Sequence, residues 1–182
     1  MSEDWPERVF RERLTQPDRV SCGATVLVVS QMILDHGYGE FIGAAPSVPD
    51  RFREEVLAMH RRVTATVDRG RLQLPWPRAL GTPPWAVARQ LGDHEVRWIR
   101  TAPGPAFDAV VAATQRLQPV PVYVGSRWLP RHVVLALGEH DGALRFYEPA
   151  SGRLMDVSRA EFASGRVGLA GWDHAWWAVL PD

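Results

Sequence analysis

The apolar run Cys22–Leu34, which follows a polar turn, constrains the fold of this chain more than any other feature. The run is long enough for a helix, and its apolar side chains recur at helical spacing over a broad face. Ser21, directly before the run, is a favoured helix N-cap residue, and His36-Gly37 is a normal C-terminal stop. The pattern predicts a buried helix from about Cys22 to Asp35.

Cys22 is the only cysteine of the chain and falls in the first turn of this predicted helix. There the positive end of the helix dipole and the free backbone N–H groups favour a thiolate. Gly23 and Ala24 permit a close approach of other groups, and the amide of Gln16 can fold back toward the same point. A buried cysteine is more often a small core residue than a nucleophile, so the position of Cys22 alone leaves both interpretations open.

The composition excludes several classes of protein. The chain has 182 residues, which we interpret as one domain (1–182) with a full hydrophobic core. Its 21 basic and 21 acidic residues balance, which gives no general electrostatic reason to bind nucleic acid or an anionic membrane. The sequence shows no signal peptide and no apolar run of about 18 residues. We therefore expect a soluble, cytoplasmic protein with no nucleic-acid or membrane partner.

Predicted helices dominate the first half of the chain and predicted strands the second. A charged lead-in (1–15) precedes the helix at Cys22, and a loop at 37–49 follows it. We predict three further helices, which begin at Pro49, begin after Thr82 as N-cap, and span 105–117. The predicted strands span 95–100, 119–124, 132–137, 143–147 and 174–180. Pro119 and Pro121 are tolerable in strand 119–124 only at a sheet edge or at the start of a strand. Helices followed by a mostly antiparallel sheet indicate an α+β domain.

A strong turn signal, Asp141-Gly142, predicts a β-hairpin. If Leu137 pairs with Ala143, the register places His132 opposite Glu148 on the same face of the sheet. A carboxylate there accepts from one imidazole nitrogen and leaves the other for a thiol, as a catalytic base requires. A core histidine bonded to a carbonyl, and a glutamate that only caps a strand end, remain alternatives.

Two further acids, Asp156 and Asp173, are more remote candidates to orient the histidine. One cysteine and scattered histidines show no paired spacing of metal ligands, which argues against zinc. We expect no cofactor.

Several motifs occur in the order typical of one enzyme family. They are Gln16-x5-Cys22-Gly-Ala, Gly81-Thr-Pro, Gln118-Pro-Val-Pro-Val, Arg131-His132-Val-Val-Leu-Ala-Leu-Gly138, Phe146-Tyr-Glu-Pro149 and Ser151-Gly152. In order and spacing they resemble papain-like cysteine proteases, most of all the C39-like group, which comprises the bacteriocin-processing peptidases and their stand-alone relatives. The resemblance covers most of residues 14–180.

The resemblance implies a papain-like fold, with N-terminal helices packed on a mostly antiparallel sheet, and a peptide or protein substrate. It makes Cys22 the nucleophile, His132 the base and Gln16 a donor of the oxyanion hole. Glu148 stands where the family usually has an aspartate before proline. No transporter segment accompanies the motifs, so the resemblance does not imply coupled export.

Aromatic and basic residues near these motifs are candidates for substrate binding. Trp128 and Trp85, with Trp76, are predicted to line a cleft, although tryptophans also fill cores. Arg131 and Arg127 flank the candidate site, where they hold an acidic substrate group or form an ordinary solvated edge.

Three functions remain open at this point. The motifs fit a peptidase, a glutamine deamidase or transglutaminase-type effector with the same chemistry, or a papain-like binding module without turnover. The sequence does not indicate the oligomeric state.

Overall fold

A computed structural model of the protein describes residues 9–182 except positions 69, 75 and 93. Most of the predicted charged lead-in therefore lies outside the described residues. The helices are α1 (Cys22–Leu34), α2 (His36–Gly43), α3 (Val48–Val63), α4 (Pro84–Gln90), α5 (Pro103–Gln115) and α6 (Arg159–Ser164), with a short 3₁₀ turn at Arg78–Leu80. The strands are β1 (Val67–Asp68), β2 (Arg71–Leu72), β3 (Glu95–Trp98), β4 (Val120–Gly125), β5 (Pro130–His140), β6 (Ala143–Glu148), β7 (Arg153–Ser158) and β8 (His174–Leu180).

The main sheet has six strands in the order β3-β8-β4-β5-β6-β7, and all neighbours are antiparallel. Strands β1 and β2 form a separate hairpin. With the helices preceding most of the sheet, this architecture confirms the predicted α+β class.

The sheet is covered by helices on both faces. Along β5, Val133 and Leu135 pack into the core formed with α1 to α4, whereas Val134 and Ala136 pack into a second core that includes residues of α5 and α6. Burial on both faces explains why the central part of β5 is apolar without alternation. Helix α1 is the most deeply buried helix, since all residues from Cys22 to Ser30 are buried.

Helix α2 and the pair β7–α6 were not predicted. Residues 37–49 were expected to form a loop because Gly37, Gly39 and Gly43 punctuate them, yet the Asp35 side chain caps α2 by accepting from the Tyr38 N–H. Helix α6 begins with a capping box, a reciprocal pair of hydrogen bonds between residues 158 and 161.

The predicted start of α4 was wrong, and of the two predicted settings for the prolines near β4, the strand start holds and the sheet edge does not. Helix α4 begins at Pro84 with Pro83 as N-cap and no side-chain cap, so Thr82 is not the capping residue. Strand β4 lies between β8 and β5 and is not an edge. Pro121 is tolerated there because pairing with β8 begins only at Val122, so its missing N–H lies beyond that ladder.

The predicted hairpin forms, but with a different register. Asp141 and Gly142 both have positive φ, 51° and 77°, as a two-residue type I′ turn requires. His140, not Leu137, pairs with Ala143, and a bulge at Leu137 shifts the ladder.

The shifted ladder changes how the two candidate site residues face each other. Beyond the bulge Leu135 pairs with Tyr147, which sets Glu148 across from Val134, two residues from His132. A shift of two keeps both side chains on one face, so His132 and Glu148 are diagonal neighbours and are not directly opposed.

Among the described residues, no helix combines the length and the apolar character needed to span a membrane.

Candidate active site

Cys22 is the first residue of α1 and is 6% exposed. Ser21 occupies the N-cap position, but its side chain makes no capping hydrogen bond. Its carbonyl instead accepts from the backbone N–H and the hydroxyl of Thr25. The N–H groups of the first turn of α1 therefore receive no side-chain acceptor from Ser21.

The loop before Cys22 is held in a fixed shape by Asp18 and Gln16. Asp18 Oδ1 accepts from the Val20 N–H at 2.9 Å. Burial raises the pKa of Asp18, but hydrogen bonds from residues 20 and 21 outweigh it and lower that pKa overall. The Gln16 backbone N–H donates to the Pro149 carbonyl at 2.8 Å, which ties this loop to the end of β6.

The Gln16 side chain is partly committed inside its own loop. Its Nε2 donates to the Asp18 carbonyl at 2.7 Å, while its Oε1 is buried without a hydrogen-bond partner among the described residues. An amide nitrogen carries two hydrogens, so one N–H remains available to another acceptor. Gln16 is not among the residues that line the cleft at Cys22.

The loop 81–83 packs directly on the start of α1. A Cβ at position 23 would lie 2.6 Å from Thr82 Cβ, so only glycine permits this approach, as the sequence predicted. The Tyr123 hydroxyl, on strand β4, donates to the Thr82 carbonyl at 2.9 Å and holds the loop in place. Burial and the charge of Cys22 raise the pKa of Tyr123 well above its ordinary value, so this phenol stays a neutral donor.

His132 and Glu148 form a buried pair beside Cys22. The distance between His132 Nε2 and Glu148 Oε1 is 2.7 Å, and the two residues are 8% and 3% exposed. Glu148 also accepts from the backbone N–H groups of Ala150 and Ser151, at 2.7 and 2.8 Å. Glu148 therefore both orients the imidazole and caps the end of β6, which the sequence analysis treated as alternatives.

The electrostatics of the pair favour a charged imidazole. Burial lowers the pKa of His132, but hydrogen bonds to Cys22 and Glu148, and the negative charges of both, raise it to about 9. Burial raises the pKa of Glu148, while hydrogen bonds from His132, Ser151 and Ala150 lower it to about 2. Because Nε2 is engaged by Glu148, Nδ1 is the ring nitrogen left for the hydrogen bond to the thiol. The three groups can sustain a thiolate–imidazolium–carboxylate arrangement.

The two rival acids lie elsewhere. Asp156 is exposed and accepts two hydrogen bonds from Arg145, at 2.8 and 2.9 Å. Asp173 is exposed, and its carbonyl accepts from the Val167 N–H. Neither contacts His132 among the described residues, so Glu148 is the acid that pairs with it.

Cys22 and His132 open onto a cleft of about 510 Å³. The predicted Trp76, Trp85 and Arg131 line it, and so do residues that sequence reasoning did not single out as cleft residues: Arg19, Tyr123, Leu129 and Trp177. Trp128 does not line the cleft. It is 70% exposed on the loop before Leu129, with the Arg127 guanidinium 4.5 Å from its ring centre.

A second buried histidine lies outside this pair. His60, which neighbours Arg61 and Arg62 in the sequence, is only 6% exposed, on the buried face of α3. Burial lowers its pKa more than the nearby Asp18 charge raises it, which keeps this imidazole neutral.

Comparison of the chain with protein-family profiles, with curated proteins and with solved structures gave no match.

Proposed function

We propose that this protein is a papain-like cysteine hydrolase that cleaves a peptide or other amide bond, with a C39-like peptidase as the nearest enzyme type. The observation that carries the proposal is that Cys22 and His132 line one cleft while the buried Glu148 carboxylate binds the His132 imidazole. A buried imidazole that pairs with a carboxylate and shares a cleft with a thiol is the arrangement expected of a catalytic base with its orienting group.

The proposed reaction is acyl transfer in two steps. The Cys22 thiolate attacks the substrate carbonyl, and the negative charge formed on oxygen is stabilised by the Cys22 backbone N–H and the remaining N–H of Gln16. His132 donates its proton to the leaving amine as the C–N bond breaks. It then removes a proton from water, which attacks the acyl-enzyme and releases the acid and the free thiol.

Glu148 holds the imidazole in this role. Its charge favours the imidazolium that accompanies the thiolate, and its bonds to residues 150 and 151 prevent the carboxylate from turning away. Because the chemistry needs a reduced thiol, it fits the cytoplasmic location that the sequence analysis expected.

The proposal is tested by labelling the protein with iodoacetamide at pH 6.5 and mapping the modified residue by mass spectrometry. Rapid labelling of Cys22 in the folded protein, together with cleavage of a diverse peptide library that is lost in Cys22→Ala, is the expected result. A folded protein whose thiol reacts no faster than free cysteine, and which cleaves none of the peptides, would contradict it.

The competing function is a papain-like binding module without turnover. It is favoured by one observation, the commitment of the Gln16 amide to the Asp18 carbonyl away from the cleft lining. The variant Gln16→Ala separates the two functions. A catalytic role predicts a loss of about 10²- to 10³-fold in turnover with unchanged labelling of Cys22, whereas a binding module labels without cleaving in either form.

A further inference from the structure

The cleft at Cys22 carries two arginines that no described acid neutralises. Arg19, three residues before Cys22, and Arg131, directly before His132, both line it. Among the described residues, no aspartate or glutamate contributes to the lining, and neither arginine makes an ion pair with an acid. Two exposed guanidinium groups at a concave surface attract a carboxylate, since a guanidinium matches it with two parallel hydrogen bonds.

The position of Arg131 is built into the backbone of the sheet. Val124 pairs with His132 while Gly125 pairs with Pro130, so Arg131 is the extra residue of a β-bulge. A bulge turns a side chain out of the alternation of its strand, which explains how Arg131 and His132 line one cleft although they are adjacent. Gly125 is required here, because a Cβ at that position would lie 2.1 Å from the Leu129 carbonyl.

The remaining wall of the cleft is apolar and aromatic. Trp76 and Trp85 meet edge to face with ring centres 5.1 Å apart. Trp177 of strand β8 lies beside Tyr123 of the neighbouring strand β4. Trp85 is 39% exposed. An aromatic side chain that is partly exposed inside a cleft is available to pack against an apolar group of a ligand.

Two polar atoms in this wall also lack partners. Trp76 Nε1 and Thr82 Oγ1 are buried, and neither has a hydrogen-bond partner among the described residues. Buried polar groups are nearly always satisfied, so these atoms call for a ligand or a water. A peptide, with its carbonyl groups and N–H groups, can supply both.

We propose that the cleft selects acyl substrates in which a carboxylate lies next to a bulky apolar side chain, such as a peptide with an aromatic residue beside an acidic one. Arg19 and Arg131 bind the carboxylate, and Trp76, Trp85 and Trp177 pack on the apolar group. The inference rests on the proposed function for what happens to the bound amide, but binding itself needs no turnover.

The test measures binding of four blocked peptides to Cys22→Ala by isothermal titration calorimetry. Acetyl-Phe-Asp amide carries both groups, acetyl-Phe-Asn amide lacks only the charge, and acetyl-Ala-Asp amide lacks the ring. Acetyl-Phe-Gly with a free carboxyl end presents a terminal carboxylate instead. We expect acetyl-Phe-Asp amide to bind about tenfold more tightly than the asparagine and alanine peptides, the size of one charge-assisted hydrogen bond or one aromatic contact.

Arginine variants locate the binding group. Adding Arg131→Gln or Arg19→Gln should remove most of the preference for aspartate over asparagine. Arg116→Gln, at an exposed arginine outside the cleft, should leave it unchanged. If the terminal carboxylate of acetyl-Phe-Gly binds as well as the aspartate peptide, the natural ligand presents a chain end. If it binds only weakly, the ligand presents an acidic side chain.

Equal binding of the aspartate and asparagine peptides, or a preference that survives both arginine variants, would overturn the inference. Because these measurements use a protein without the thiol, that outcome leaves the proposed hydrolase activity untouched. Absence of labelling and cleavage in the wild-type protein would instead remove the proposed function and leave the binding result standing.

Discussion

Strand β5 has a histidine near each of its two ends, and each histidine lies beside an acid of another strand. At the open end of the β5–β6 hairpin, His132 and Glu148 of β6 are buried and 2.7 Å apart. At the turn end, His140 lies 3.7 Å from Asp156 of the neighbouring strand β7, and both side chains are exposed. The same residue types thus give a candidate catalytic pair at one end of the hairpin and an ordinary surface cluster at the other.

Burial and the number of fixed partners account for the difference. Glu148 accepts three hydrogen bonds at a buried position, where electrostatic interactions are strong. Asp156 shares its charge with Arg145 in solvent, where a pair contributes less than about 1 kcal/mol and is screened by salt. A histidine beside an acid therefore indicates a candidate catalytic pair only where both residues are buried.

Removing each histidine in turn should give the largest contrast. An isolated thiol titrates near pH 8.5 and is only about 1% thiolate at pH 6.5. If the His132 imidazolium holds the Cys22 thiolate, His132→Ala should slow alkylation at pH 6.5 by about 10²-fold, whereas His140→Ala should leave the rate unchanged. The measurement is the second-order rate of iodoacetamide labelling of each folded variant. Equal slowing by both variants would mean that the two ends are not distinct.

The acids should differ in what they contribute to stability. Glu148→Gln keeps the shape but removes a buried charge that three donors satisfy, so the free energy of unfolding at pH 7 should fall by about 1–3 kcal/mol. The matched change at the exposed end, Asp156→Asn, should cost less than about 1 kcal/mol. Urea unfolding of the two variants measures both values, and a larger loss from Asp156→Asn would reverse the assignment.

The pH dependence sharpens this contrast, and its sign follows from the two shifts. The pKa of His132 is raised from 6.5 to about 9, so its stabilisation is complete below pH 6.5 and is lost as the pH rises through 9. The pKa of Glu148 is lowered from 4.5 to about 2, so its stabilisation is present above pH 4.5 and is lost as the pH falls through 2. The stability difference between wild type and Glu148→Gln should be largest between these limits, at about pH 4.5–6.5.

Urea-unfolding midpoints of the wild type and of Glu148→Gln, measured from pH 4 to pH 10, test where the stability difference is largest. In parallel, NMR titration of the His132 ring should give a pKa well above 6.5 in the wild type and a lower one in Glu148→Gln. A stability difference that grows toward pH 10, or a His132 pKa that is the same in both proteins, would contradict the paired arrangement.

The hairpin also shows which parts of the site the sequence could predict. The Asp141-Gly142 signal located the turn, because type I′ geometry needs positive φ at both positions. The bulge at Leu137 was not predictable, because the centre of β5 is buried on both faces and has no alternation to mark the register. The pairing of His132 with Glu148 survived because the error was two residues, which preserves the face, and because a glutamate is long enough to span a diagonal.

Other features had no local signal at all. Helix α2 is punctuated by three glycines, so its formation depends on the Asp35 cap and on the bond from the Tyr38 hydroxyl to Glu55. Arg19 reaches the cleft because separate segments of the chain meet there, and no residue pattern near position 19 encodes that meeting. Periodicity predicted α1 because this helix is long and buried. It failed where tertiary contacts decide the local structure.

The smallest expected effect comes from the turn itself, through Gly142→Ala. Gly142 has a φ of 77°, and a Cβ added there would meet no atom within 4 Å. Alanine therefore meets no clash and suffers only the strain of a left-handed backbone, about 1 kcal/mol. The bulge at Leu137 separates this turn from the buried pair, so the strain should stay at the exposed end.

Urea unfolding should show the loss of stability, while the rate of Cys22 alkylation at pH 6.5 stays that of the wild type. A slower alkylation would show that the turn helps to set the register at His132, and that the two ends of the hairpin are coupled.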